Sequence, residues 1–244
     1  MTTVAVERRP DRVTVRLDRP ETRNAINQEM VDELHEICAE LEKSPRILII
    51  MGSNGVFASG ADIAELRERR AADAHRGINA RLFLRIAALP MPVIAAVDGF
   101  ALGGGAELAY AADFRIGTPA LRIGNPETGL GIIAAAGALW RLRELVGEPL
   151  AKEILLAGRI LGAEEALAVR LVTELHSPEE LEAGANALAD RIAANDPLAT
   201  QYTKAVFHAS DDEHPRADQD AQAILFESPE KMRRMTEFLE RRRR

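Results

Sequence analysis

The sequence predicts an α/β protein with parallel strand pairing, followed by a helical C-terminal piece. Two short, continuously apolar runs, 47–51 and 93–97, read as strands buried on both faces, the pattern of a parallel sheet. Stretches of helical periodicity separate these runs, so strands and helices alternate. From about Leu139 onward helical periodicity dominates, broken at Gly147-Glu148-Pro149, Gly158, Ser177-Pro178, Asp196-Pro197 and Ser228-Pro229. The expected organisation is an α/β core over residues 1–190 and a helical region over 191–244.

Each element has its own signal. Val13, Val15 and Leu17 alternate with Thr14, Arg16 and Asp18, the period of a half-buried strand. Val4 and Val6 lie across Pro10-Asp11 from them, which predicts a hairpin. Asn27 is an N-cap residue, and Met30, Leu34, Ile37, Cys38 and Leu41 after it share one helical stripe. Cys38 is therefore expected in the core. A further helix is predicted around residues 79–88, ahead of Pro90-Met91-Pro92 and the second buried run.

Bulk properties narrow the function. The chain has 244 residues, 47% of them hydrophobic, enough for one sizeable core with a small appendage. No apolar run approaches the roughly 20 residues that span a bilayer, so no membrane association is expected. The opening Met1-Thr2-Thr3-Val4-Ala5-Val6-Glu7-Arg8 lacks the basic-then-apolar order of a secretion signal. A single cysteine allows no internal disulfide and suits a cytoplasmic location. A net charge of −7 argues against nucleic acid as a partner, because phosphate contacts need a basic face. Arg233, Arg234 and the run 241–244 concentrate positive charge near the C-terminus, as a solvated helix end or a docking point for a phosphate or neighbouring subunit.

Two segments carry chemistry. In 52–63 a buried strand runs into a loop of small residues, Gly52-Ser53-Asn54-Gly55 through Ser59-Gly60-Ala61, and a helix is predicted to begin near Asp62. In 98–108 a buried strand feeds a glycine-rich turn, Gly103-Gly104-Gly105, and an alanine-rich helix. Small residues let a ligand or another main chain approach closely. The unsatisfied amides of a helix start carry partial positive charge and hold anions or polarised carbonyls. Three glycines at a helix start cost roughly 0.5–1 kcal/mol each relative to alanine, so something must come near that backbone. Other motifs fail: Leu108 stands where a dinucleotide fingerprint wants glycine, no lysine follows the glycines as in a P-loop, and neither G-x-S-x-G nor H-E-x-x-H is present. His208 and His214 near Asp211 and Asp212 read as a polar surface loop, so no metal is expected. Taken alone, Glu107 and Glu127 read as surface residues.

The chain resembles the crotonase (enoyl-CoA hydratase/isomerase) family in four blocks, in order and at ordinary spacing. Arg19-Pro20-Glu21-Thr22-Arg23-Asn24-Ala25-Ile26-Asn27 is similar to its R-P-x-x-x-N-A signature. Phe57-Ala58-Ser59-Gly60-Ala61-Asp62-Ile63 is similar to F-(S/A)-x-G-A-D-(I/L), and 99–108 to G-x-A-x-G-G-G-x-E-L. Asn125-Pro126-Glu127 with Gly129-Leu130-Gly131 matches a further block. The resemblance implies a ββα superhelix whose C-terminal helices serve trimerisation and cover the active site, assembled as a homotrimer or a dimer of trimers.

It also implies roles. The N–H groups of Ala61 and Gly104 would hold a thioester oxygen, with Gly60 and Gly103 beside them as substrate-binding residues. Arg23, Ala25, Asp62 and Ile63 fall where the family contacts coenzyme A, partly through the backbone, with Arg23 the candidate for phosphate attraction. Glu127 would manage the proton at the α-carbon and Glu107 would orient and deprotonate water. The expected activity is hydration of a trans-2-enoyl-CoA to a 3-hydroxyacyl-CoA. Coenzyme A is part of this substrate, and no separate cofactor is implied. Alternatives are Δ3-Δ2 enoyl-CoA isomerisation, another crotonase reaction, or a non-catalytic acyl-CoA-binding subunit. Two departures bear on the choice. Ala134-Ala135-Ala136-Gly137-Ala138 replaces the family's Pro-Gly-x-Gly-Gly, with Ala135 where a glycine amide helps hold water. Arg233-Arg234 replaces the usual Glu-Gly in the closing helix.

Overall fold

The computed structural model describes residues 2–242; the Met1 start and the final Arg243 and Arg244 of the basic run lie outside them. The chain divides into two compact units, one through Asp190 and the other from Arg191 on.

The first unit is built on strands β1 (Val4–Arg8), β2 (Arg12–Leu17), β3 (Ile47–Gly52), β4 (Val93–Val97), β5 (Phe100–Leu102), β6 (Phe114–Gly117), β7 (Arg122–Gly124) and β8 (Ile160–Gly162). Among the described residues these form a five-stranded sheet, β1-β2-β3-β4-β6, and a three-stranded sheet, β5-β7-β8. The β1–β2 hairpin is antiparallel, with Val6 opposite Val15. Strands β2, β3, β4 and β6 pair in parallel, as the continuous apolar runs of β3 and β4 predict for those two. Strand β2 departs from the half-buried expectation, since Thr14 and Arg12 are also buried. Helix α9 (Leu181–Ala193) supplies the reason: Arg12 donates to the Asn186 carbonyl and pairs with Asp190, while Arg16 pairs with Glu182. Four short strands also escaped the sequence reading: β5 stands within the glycine-rich segment, β6 and β7 follow the alanine-rich helix, and β8 lies within the stretch read as helical.

The intervening helices are α1 (Gln28–Lys43), α2 (Ile63–Glu68), α3 (Ala71–Arg76), α4 (Ile78–Ala87), α5 (Gly104–Tyr110), α6 (Ala138–Val146), α7 (Glu148–Ala157) and α8 (Ala163–Ala168). Asn27 caps α1 by accepting the Met30 N–H at 3.1 Å, and the predicted stripe, Cys38 included, is buried. Helix α4 buries Leu82, Phe83 and Ile86. The second unit holds the end of α9 and helices α10 (Pro197–Phe207), α11 (Arg216–Phe226) and α12 (Pro229–Arg241). There Arg233 pairs with Glu230 and Glu237, and Arg234 with Glu230, so both arginines sit in local ion pairs. His214 pairs with Asp218, and among the described residues no group of three or more His, Cys, Asp or Glu is placed to hold a metal ion. No helix among them is long and apolar enough to cross a membrane.

Candidate active site

The parallel neighbours β3 and β4 each run out at their C-terminal ends into one of the two small-residue segments, so the sheet brings the segments side by side. Main-chain hydrogen bonds lace them together. Phe57 N donates to the Asp98 carbonyl at 2.8 Å, Ala58 N to Phe100 at 3.0 Å, and Leu102 N to Ala58 at 3.1 Å. Gly105 permits this approach, because a Cβ there would stand 2.2 Å from the Ala58 carbonyl oxygen. At Gly103 the backbone is left-handed (φ 51°), and a Cβ would come within 3.2 Å of Glu127 Oε1.

The N-terminal motif braces the same loop. Asn24 is fully buried; its Nδ2 donates to the Val56 and Ser53 carbonyls at 2.7 and 3.2 Å. Arg19 Nη1 donates to the Ala25 carbonyl at 2.6 Å and pairs with Asp62 at 3.1 Å. Asp62 also caps α2, accepting the Ala64 N–H at 3.1 Å. Ala61 is thus held between a capped helix start and the Ile26 N–H···O=C Gly60 bond of 2.8 Å. Ala25 and Asp62 are both engaged in this bracing, and neither lines the cavity between the segments; nor does the exposed Arg23. Its carbonyl accepts the Ser59 N–H at 3.1 Å.

Between the segments lies a cavity of about 640 Å³. Of the residues predicted from sequence, Gly60, Ala61, Ile63, Gly103, Gly104, Glu107, Glu127 and Ala135 line it, beside an apolar wall that includes Leu66, Ile78, Leu130, Ile132 and Ile133. The N–H groups of Ala61 and Gly104 donate no hydrogen bond among the described residues. They stand close: the Ala61 nitrogen is 3.4 Å from the point where a Cβ on Gly104 would sit.

Both glutamates are buried, with 4% of Glu107 and 9% of Glu127 exposed, correcting the surface reading of each. Helix α5 follows a β-strand directly into the wall, and the loop 131–137 closes over Glu107. Its Oε1 accepts the Ala136 and Ala138 N–H groups at 2.7 and 3.2 Å. Burial pushes this carboxyl up to about 7, against the pull of those two amides and with a further push from the Glu127 charge. Burial also raises Glu127, opposed by its own backbone N–H and by Asn125. Asn125 Nδ2 donates to Glu127 Oε1 at 3.3 Å and to the Gly103 carbonyl at 3.4 Å, whereas Glu127 Oε2 is buried with no partner among the described residues. The Coulombic interaction couples the carboxyls, and both prefer their protonated forms more than an exposed glutamate does.

Sequence reasoning missed Arg19, Asn79 and Asn125. Arg19 and Asn125 stand inside matched blocks, so the blocks themselves were the signal. Asn79 had a different one: it is a polar residue three and four positions before the buried Leu82 and Phe83, on the apolar stripe of α4.

The chain is similar to known proteins over nearly its whole length. A family model described as enoyl-CoA hydratase/isomerase matches residues 11–244. The chain is 34% identical over 249 residues to the crotonyl-CoA hydratase of Syntrophomonas wolfei, covering 98% of this chain and 96% of that protein. It is 33% identical to the short-chain-enoyl-CoA hydratase of Clostridium acetobutylicum, covering 98% and 95%. Among solved structures, an enoyl-CoA hydratase from Bacillus anthracis superposes with a TM-score of 0.92 at 29% identity, covering 98% and 96%. One from Thermoplasma volcanium gives 0.88 at 34%, covering 97% of each chain.

Proposed function

The chain belongs to the enoyl-CoA hydratase/isomerase family of the crotonase superfamily, and on that premise we propose that it is a hydro-lyase adding water to a trans-2-enoyl-CoA to give the 3-hydroxyacyl-CoA. One observation carries the reading: two buried carboxyls, both shifted upward, share a cavity wall with two unengaged main-chain amides.

The thioester oxygen takes the N–H groups of Ala61 and Gly104. These donors act where negative charge develops, and each contributes roughly 3–4 kcal/mol of transition-state stabilisation in comparable sites. Glu107 holds the water. Its Oε1 is tied to two amides, which fixes the carboxyl and leaves Oε2 to take the proton. As the water oxygen bonds to the β-carbon, the double-bond electrons move toward the thioester oxygen. Glu127 then delivers a proton to the α-carbon. A buried carboxylate oxygen with no donor beside it favours the protonated form, which suits Oε2 of Glu127 to that role. Substrate filling the cavity excludes water and pushes the Glu127 carboxyl higher still.

Ala135 keeps the amide that a glycine would offer to the water while narrowing the wall. Ile63 and Gly60 pack against the coenzyme A arm, and the exposed Arg23 attracts its phosphates. The relatives named for crotonyl-CoA and short-chain substrates favour a short acyl chain. No cofactor beyond the coenzyme A of the substrate takes part in this scheme. We propose the homotrimer or dimer of trimers as well, in keeping with the exposed Met232, Met235, Phe238 and Leu239 of α12.

Product analysis with crotonyl-CoA and a 3-enoyl-CoA tests the function. The expected result is 3-hydroxybutyryl-CoA from crotonyl-CoA. Turnover of the 3-enoyl ester with no hydration would replace this reading with the isomerase one, and tight binding without turnover of either would indicate a non-catalytic subunit.

A further inference from the structure

Asn79 stands on α4 with only 9% of its surface exposed and its side chain in the cavity wall. Its amide makes no hydrogen bond with any described residue, and Oδ1 is sealed from solvent with no partner. An apolar residue would suit this stripe of α4 better, because a buried polar group without a partner is destabilising. The orientation is informative. The Asn79 Nδ2 lies 3.5 Å from the point where a Cβ on Gly104 would sit, and the Ala61 nitrogen lies 3.4 Å from that point. The free N–H of Gly104 itself springs from the adjacent backbone atom. Three nitrogens bearing hydrogens thus border one small volume, two on the main chain and one on a side chain.

We infer that Asn79 is a third hydrogen-bond donor to the substrate's thioester oxygen, beside Ala61 and Gly104, and so a catalytic residue for enolate stabilisation; the inference rests on the acyl-CoA reading of the cavity. An enolate oxygen has lone pairs for three donors, whereas a ground-state carbonyl engages two well. The third contact therefore strengthens as charge moves onto oxygen, which is the condition for it to raise kcat rather than affinity. The opposite amide orientation would aim a partial negative charge at the developing anion and seal two unpaired N–H donors in the wall.

The test uses the full chain carrying Asn79→Leu, with Asn79→Asp as a second, nearly isosteric variant. Crotonyl-CoA gives kcat and KM. Bound acetoacetyl-CoA gives the fraction enolised, from the near-ultraviolet band of its enolate. For Asn79→Leu, kcat should fall roughly 10²-fold with KM within about threefold of the parent, and the enolate band should shrink in parallel. Thermal stability should be unchanged or raised, because an orphaned amide has gone. Asn79→Asp should lose more of both signals, since a carboxylate repels the enolate. An enolate band and kcat equal to the parent's in both variants would overturn the role of Asn79. A loss confined to KM, or to acyl chains bearing a polar substituent, would overturn it too and make Asn79 a reader of the acyl group. If the parent protein itself neither binds nor enolises acetoacetyl-CoA, the acyl-CoA reading fails first.

Discussion

Glu107 Oε1 accepts the Ala136 N–H at 2.7 Å, so the carboxyl proposed to hold water is anchored by the very loop that departs from the family pattern. The loop keeps this amide function with Ala135 and Ala138 in place of glycines and glycine retained at Gly137. Burial nevertheless places the Glu107 carboxyl at about 7. A base must be ionised to act, so kcat/KM for crotonyl-CoA should fall on the acid side with a midpoint near that value. A pH–rate profile checks this; an acid limb in the ordinary carboxylate range would remove Glu107 from the base role.

The same shift makes a stability prediction. A carboxyl whose pKa rises on folding holds extra protons in the native state, so its stabilising effect is complete below the ordinary glutamate value and is lost as pH rises through about 7. Above that value the buried charge costs on the order of 3 kcal/mol relative to a neutral group. Glu107→Gln should therefore melt progressively higher than the parent as pH increases from 5 toward 9, measured by thermal denaturation. A difference independent of pH would show that Glu107 is not buried as a titrating group.

Much of this arrangement was legible in the residues, for identifiable reasons. Continuous apolar runs made β3 and β4 readable, and Asn27 with its stripe made α1 readable, since these signals are local. Burial of Glu107 and Glu127 was not legible from the residues alone, because it depends on β3 and β4 pairing and on the loop 131–137 folding back. Strand β8 escaped because three residues carry too little periodicity, and its pairing partner β7 lies some 36 residues upstream in sequence. The second face of β2 escaped because α9, which engages Arg12 and Arg16, arrives more than 160 residues later. Asn24 and Arg19 were visible as motif letters, while their job of bracing Ser53, Val56 and Asp62 required coordinates.

Two glycines separate close packing from freedom. A Cβ at Gly105 would overlap the Ala58 carbonyl, and α5 cannot move away without breaking the lacing between the segments. Gly105→Ala should cost about 3 kcal/mol or more, or give no soluble protein. At Gly129 no atom lies within 4 Å of the added methyl, so Gly129→Ala should stay within about 0.5 kcal/mol of the parent. Chemical denaturation of both variants measures the contrast.

Asp62 couples the N-terminal motif to the Ala61 amide. Burial tends to raise its carboxyl, but hydrogen bonds from Arg19 and from the α2 amides of Glu65 and Ala64 outweigh that and hold it below the ordinary aspartate range. Its contribution is therefore present at neutral pH and lost as pH falls below that range. Asp62→Ala should destabilise by about 1–2 kcal/mol at neutral pH, with the gap closing in acid, and should lower kcat as the Ala61 N–H loses its brace. Melting curves across pH test the first part and steady-state kinetics the second.

Asn125 provides the most specific test of how Glu127 is set. Its Nδ2 donates to Glu127 Oε1 and to the Gly103 carbonyl, tying the carboxyl to the glycine segment. The bond favours the ionised form, so it opposes the upward push of burial. Removing it with Asn125→Ala should raise the Glu127 carboxyl and keep its proton to higher pH. If Glu127 is the proton donor, the basic limb of the pH–rate profile should move upward, while kcat near neutral pH falls roughly tenfold from lost positioning. KM should change little, because Asn125 does not line the cavity. A purely structural role would lower the amount of folded enzyme without moving that limb, and an unshifted limb would take the acid role away from Glu127.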